Sequence, residues 1–228
     1  MMKSVNPATG EVFQTYESHS EKGVEKIINS VDKCWHQWKK TTFSQRSLLM
    51  QNLASLLKSN KEKLARLMAV EMGKVLREGI AEIEKCAWVC DYYAVNAENF
   101  LENEIFETDF SKSYISYQPL GTILAVMPWN FPFWQVFRFA APTLMAGNTA
   151  VLKHASNVPG CSVAIEDLFR EAGFPENAFR SLLIKSNQVE AVIKHRAVKG
   201  VSLTGSTPAG KSVASIAGNA LKKCVLEL

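Results

Sequence analysis

The sequence predicts an α/β fold, a parallel sheet with helices on both faces, entered from a helical N-terminal part. Three observations predict it. From residue 122 onward, short apolar runs bounded by Gly, Pro or polar turns alternate with segments of helical periodicity. Before residue 100 the apolar positions recur at three-to-four spacing, the pattern of one-faced amphipathic helices. The size also suffices: 228 residues, 47% of them hydrophobic, can bury a sizeable core in one large or two small domains.

Residues 5–16 read as a short hairpin, with Asn6-Pro7-Ala8-Thr9-Gly10 as its turn and Val12, Phe13 and Tyr16 giving strand character. Ser20 can cap a helix carrying Val24, Ile27, Ile28, Val31, Trp35 and Trp38. A second helix starts at Ser44 and runs through Leu48, Leu49, Leu53, Leu56 and Leu57. A third, capped by Asn60, carries Leu64, Leu67 and Met68 and stops near Gly73, and a longer one covers 77–99. Ser113 to Gln118 alternates apolar and polar side chains, as a half-exposed arm would. Strands are then expected near 122–127, 149–153, 181–184, 199–203 and 223–228. Helices near 134–146, 160–172, 188–195 and 207–217 lie between them, so a parallel sheet buried on both faces follows. The domain division this implies is 1–112 for the hairpin and helices, 113–119 for the arm and 120–228 for the sheet. The run Lys223-Cys224-Val225-Leu226-Glu227-Leu228 reads as a central strand on which the sequence stops. A longer protein with an uncovered edge is therefore expected.

Composition excludes several function classes. The net charge of +4, from 26 Lys and Arg against 22 Asp and Glu, is spread without a basic block and does not favour nucleic acid. The five cysteines, Cys34, Cys86, Cys90, Cys161 and Cys224, include no CxxC pair, and the N-terminus lacks an apolar signal region. Both features point to a reducing cytoplasm. Cys86 and Cys90 stand at i, i+4 on a helix with no further ligand at metal spacing, so core packing is their expected role and no metal site is predicted. The charge-free stretch between Lys112 and Arg138 is long enough to span a bilayer, but Pro119, Pro128 and Pro132, with Gln118, Asn130 and Gln135, interrupt it. A buried strand followed by a site loop explains it without a membrane.

Four motifs sit where such a sheet would place chemistry. Pro128-Trp129-Asn130-Phe131-Pro132 follows the strand at 122–127, so Asn130 holds a primary amide at a strand's carboxyl end, where ligands gather in open α/β sheets. The alternative is an Asx turn in which Asn130 bonds its own backbone. Lys153 ends the next strand, with Ser156 three residues on. A Lys there can bridge ribose hydroxyls or a phosphate, and a Ser, unlike a carboxylate, does not repel a 2′-phosphate. Lys153 could equally snorkel from the strand end. Thr204-Gly205-Ser206-Thr207-Pro208-Ala209-Gly210 turns a strand into a helix whose N-terminus suits a pyrophosphate, though it is neither GxGxxG nor a P-loop and also fits a plain capped turn. Glu227 is a lone carboxylate in an apolar strand. Burial would raise its pKa toward a general base's range, whereas a solvated strand end would leave it ordinary.

In this order the four motifs resemble the aldehyde dehydrogenase superfamily, and Asn6-Pro7-Ala8-Thr9-Gly10-Glu11 adds a fifth point of agreement. The segments Met127 to Arg138, Lys153-His154-Ala155 and Lys222 to Leu228 are similar to bacterial succinate-semialdehyde dehydrogenases. The resemblance implies a truncated aldehyde dehydrogenase fold: a Rossmann-like NAD(P)-binding sheet, an oligomerisation arm at 113–119 and a catalytic domain lying elsewhere. It implies that Asn130 donates to the oxyanion and that Glu227 is the general base. It places Met127, Pro128, Trp129, Asn130, Lys153, Ser156, Gly205, Ser206 and Leu228 at the cofactor, and Arg138 at the distal carboxylate of the substrate. Ser156 stands where a Glu goes with NAD, so NADP is accepted as well as NAD. Phe139 stands where many members have Lys. The family's nucleophile lies in a Gly-Gln-x-Cys segment downstream of the Glu, a context that none of the five cysteines has. Cys224, three residues from Glu227 along a strand, points to the opposite face and is no substitute. The resemblance further implies a soluble homodimer or homotetramer acting on a small aldehyde.

Overall fold

The computed structural model describes all 228 residues. β1 (Met2–Val5) and β2 (Val12–Tyr16) form the antiparallel hairpin around the predicted turn. Three helices follow: α1 (Glu21–Trp38), α2 (Phe43–Met72) and α3 (Leu76–Phe100). Ser20 caps α1 by accepting from the Gly23 N–H. The two helices expected to start at Ser44 and Asn60 are one. Thr42 and Gln45 close a reciprocal capping box at its start, and Gly73, at φ 78°, ends it in the left-handed conformation. The polar run Lys58-Ser59-Asn60 suggests a break, but it contains neither Gly nor Pro, and the Asn60 amide bonds the Leu56 carbonyl one turn back.

The arm is also larger than predicted. β4 (Ser113–Ile115) pairs antiparallel with β3 (Glu104–Phe106), a strand too short to show a period. A boundary at 112 therefore cuts through this hairpin.

The main sheet contains β5 (Thr122–Met127), β6 (Thr149–His154), β7 (Phe179–Ser181), β8 (Val198–Thr204) and β9 (Lys223–Glu227), all parallel, in the order β7-β6-β5-β8-β9. The crossovers are α4 (Trp134–Met145), α5 (Pro159–Glu171), α6 (Val189–Lys194) and α7 (Thr207–Asn219). Every residue of β6 is buried, Thr149, Lys153 and His154 along with the apolar Ala150-Val151-Leu152. One core joins α2, α3, α4 and α5 against one face of the sheet. In it, Phe133, Phe137, Phe169 and Phe179 stack in sequence with centroid spacings of 6.5, 5.6 and 4.4 Å. A second, smaller core packs α1, α6 and α7 on the other face.

One strand expectation needs correction. Leu182, Leu183 and Ile184 are apolar because they are buried in or beside the second core, and the strand itself ends at Ser181. Within these 228 residues β9 pairs with β8 alone and all five of its residues are exposed, the uncovered edge that the sequence leads one to expect.

Candidate active site

The chain winds outward from β5 through β6 to β7, then crosses back to β8 on the other side of β5. That reversal is a topological switch point, and the crevice beyond its carboxyl ends is where open α/β sheets bind ligands. β5 delivers Met127 to Asn130 to this crevice and β8 delivers Thr204 to Ser206. A cleft of about 420 Å³ is lined by Pro128, Trp129, Asn130, Gln135, Thr204, Gly205, Ser206, Glu227 and Leu228. Seven of the eleven predicted site residues, all but Met127, Arg138, Lys153 and Ser156, thus share one space. Met127 and Arg138 line the adjoining cleft of about 300 Å³, together with Gln135, Phe139, Thr204 and Glu227.

Asn130 is exposed, and its carboxamide takes part in no hydrogen bond; only its backbone carbonyl is engaged, by Lys74. The Asx-turn alternative is thereby removed, and two N–H donors remain free in the cleft. Glu227 stands partnered. Its Oε1 accepts from Arg138 Nη1 at 3.1 Å and its Oε2 from the Thr204 hydroxyl at 3.1 Å. Arg138 is accordingly no free solvated helix residue but the ion-pair partner of Glu227, although both side chains remain substantially exposed. β9 alternates as a strand must. Val225 and Glu227 face the α4 side, whereas Leu228 packs on α7, where any Cβ at Gly210 would collide with it.

Lys153 opens on a separate cleft of about 300 Å³ between β6, β8 and α7, lined also by Val126, Asn187, Ala209, Ser212 and Glu190, whose carboxylate is paired with Lys194. Its side chain is mostly buried, and burial lowers the ammonium pKa with no carboxylate offsetting it. An uncompensated cation in a cleft suits a polar or anionic ligand. The first turn of α7 borders both spaces, since Ser206 lines one and Ala209 the other. Ser206 caps α7 without a side-chain bond, so the N–H groups of that turn are available to a ligand. Ser156 sits exposed on the turn after β6 and does not line the Lys153 cleft.

Several residues of the site had no sequence signal. Gln135 is buried between the two adjoining clefts, and its Oε1 has no partner. Lys74, Glu82 and His154 contact the Asn130 loop from behind. None of the five cysteines lines these three clefts. Cys86 and Cys161 are buried with thiol pKa values driven well up by desolvation, and Cys90 behaves alike. Cys224 is exposed on β9, and partial burial raises its thiol as well.

The whole chain, residues 1–228, matches the sequence model of the aldehyde dehydrogenase family. The chain belongs to that family. It is 49% identical over 225 residues to the "probable succinate-semialdehyde dehydrogenase (NADP+)" of Synechocystis sp., covering 99% of this chain and 50% of that protein. Succinate-semialdehyde dehydrogenase (NADP+) 1 of Mycobacterium tuberculosis is 46% identical over 228 residues, with 99% and 50% covered. Among solved structures, a succinic semialdehyde dehydrogenase from Streptococcus pyogenes in complex with NADP+ superposes with a TM-score of 0.96 at 37% identity, covering 100% of this chain and 50% of the other. The chain thus spans about half the length of the aldehyde dehydrogenases it matches. No helix of it is long and apolar enough to cross a membrane.

Proposed function

We propose that these residues form the cofactor-binding part of an aldehyde dehydrogenase that oxidises succinate semialdehyde to succinate with NADP+, NAD+ being the alternative cofactor. The observation that carries this reading is the free Asn130 carboxamide at the carboxyl end of β5, sharing a cleft with Glu227 at the N-terminus of α7. When bound, the nicotinamide serves as the hydride acceptor. The uncompensated Lys153 ammonium and the open α7 turn fit the ribose and phosphates of such a dinucleotide, and Ser156 presents no carboxylate to a 2′-phosphate.

In this reading Asn130 donates to the oxyanion that develops as a thiolate attacks the aldehyde carbonyl. That thiolate belongs to a cysteine outside these 228 residues, since none of the five here lines the clefts. Glu227 accepts a proton from the water that hydrolyses the resulting thioester. Arg138 binds the distal carboxylate through its planar fork. Because Arg138 holds Glu227 in the structure, a substrate carboxylate competing for the guanidinium would release the base. A second reading, a nucleotide-binding module without turnover, is favoured by the absence of a thiol from the clefts.

Tryptophan fluorescence separates the cases, because Trp129 lines the cleft. Saturable quenching by NADP+, weakened about 10-fold or more by Lys153→Ala, is expected of the 228-residue chain; no quenching would remove the cofactor reading. In a chain of the relatives' full length, Arg138→Ala should raise KM for succinate semialdehyde far more than for a neutral aldehyde. Equal effects would exclude the carboxylate role and leave a neutral aliphatic aldehyde as substrate.

A further inference from the structure

Asn130 lies in a segment that is poorly equipped to hold itself. Pro128 and Pro132 lack N–H groups, and the loop between β5 and α4 runs outside the sheet ladder. α4 also begins without a cap of its own, since Phe133 offers no side-chain acceptor to the first N–H groups. Oxyanion stabilisation nevertheless depends on a donor fixed to within a fraction of an ångström.

Three buried ionisable side chains supply what the loop lacks. Lys74 Nζ donates to the Asn130 carbonyl at 3.0 Å and stands 3.8 Å from the centre of the Phe131 ring. His154 Nε2 meets the Pro132 carbonyl at 2.9 Å, while its Nδ1 accepts from the Ala155 N–H, an arrangement that fixes the Nε2–H tautomer. Glu82 Oε1 accepts from the N–H groups of both Phe133 and Trp134 at 2.9 Å, serving as the missing cap of α4. Every residue from Asn130 to Trp134 is therefore held. Lys74 and Glu82 complete the device by pairing with each other, their side chains only 6% and 1% exposed.

The pair arises where the helical N-terminal part meets the sheet. Lys74 directly follows Gly73 at the end of α2, and Glu82 lies on the buried side of α3. A buried ion pair is weak evidence for stability, because well-packed apolar residues do as well there. Its place beneath the free, exposed Asn130 carboxamide is explained by orientation. We propose that Lys74 and Glu82, with His154 beside them, are positioning residues that set the Asn130 carboxamide for the oxyanion. This rests on the reading of Asn130 as the oxyanion donor.

The test uses Lys74→Met/Glu82→Leu, which removes both charges together and so leaves none buried unpaired, with Lys74→Arg as the conservative variant. In the 228-residue chain, NMR should show the Phe133 and Trp134 amides exchanging at least 10-fold faster. The Asn130 side-chain order parameter should fall as well, with β5 and β6 amides unchanged. In a chain of the relatives' full length, kcat per titrated active site should fall about 10- to 100-fold with KM for NADP+ within twofold, and Lys74→Arg should recover most of it. Unchanged Asn130 dynamics in the double variant, or an unchanged kcat, would overturn the proposal. If the unsubstituted full-length protein oxidises no aldehyde, the catalytic reading fails by itself, and the exchange and order-parameter data still decide whether the pair positions Asn130.

Discussion

The two ends of the proposed site are built in opposite ways. Asn130 extends from β5, the central strand, and its loop is held by three buried side chains and rooted in the core through Phe133. Glu227 extends from β9, an exposed edge strand, and its partners Arg138 and Thr204 are themselves partly open to solvent. An oxyanion donor benefits from rigidity, because its task is to stand where charge develops. A base that must collect a proton and hand it on benefits from freedom to move. The same pairing of carboxylate with cation is thus buried at Lys74–Glu82 and open to solvent, within these 228 residues, at Arg138–Glu227.

The largest effect should come from breaking the buried pair on one side only. Glu82→Ala leaves the Lys74 ammonium and two backbone N–H groups buried without their acceptor, and urea denaturation should show a loss of about 3–5 kcal/mol. A loss below about 1 kcal/mol would mean that the buried and exposed pairs do not differ as described.

His154 gives a second, pH-dependent separation. Burial lowers its pKa from 6.5 to about 4, only partly offset by the bond to the Pro132 carbonyl. Between those values the unfolded chain takes up a proton that the folded chain refuses, so stability is complete above about pH 6.5 and is lost as pH falls toward 4. The full difference is about 3 kcal/mol. His154→Gln should flatten the decline in denaturation midpoints between pH 6.5 and 4, and an unchanged slope would show that carboxylates elsewhere account for it. His19 and His195 are shifted in the same direction by burial, so part of any slope persists in the variant.

What the sequence made legible follows the same division. Strands β5, β6 and β8 were readable to within a residue at each end, because each carries a short, mostly apolar run between turn residues. The place of Asn130 just beyond the carboxyl end of β5 was readable for the same reason. The Lys74–Glu82 pair was not, since Lys74 in the α2–α3 connection and Glu82 on α3 look like two of many surface charges, and only the packing of the Asn130–Trp134 segment against them buries both. β3 was too short to show a period. β9 was readable as a strand, and its exposed residues form the uncovered edge expected of it.

The smallest effect should come from the exposed end. Arg138→Ala removes an ion pair whose side chains are 37% and 50% exposed, and such pairs contribute about 0–1 kcal/mol once solvent screening and side-chain entropy are counted. The stability of the 228-residue chain should therefore change by less than about 1 kcal/mol in urea, and that small difference should shrink further at 1 M salt, where the screening length is about 3 Å. A salt-independent loss of several kcal/mol would place Arg138 with Lys74 as a fixed structural element. It would also remove the reason for expecting a substrate carboxylate to take its place beside Glu227. A small, salt-sensitive loss leaves the guanidinium free to exchange partners, which a residue that binds an incoming carboxylate must be able to do.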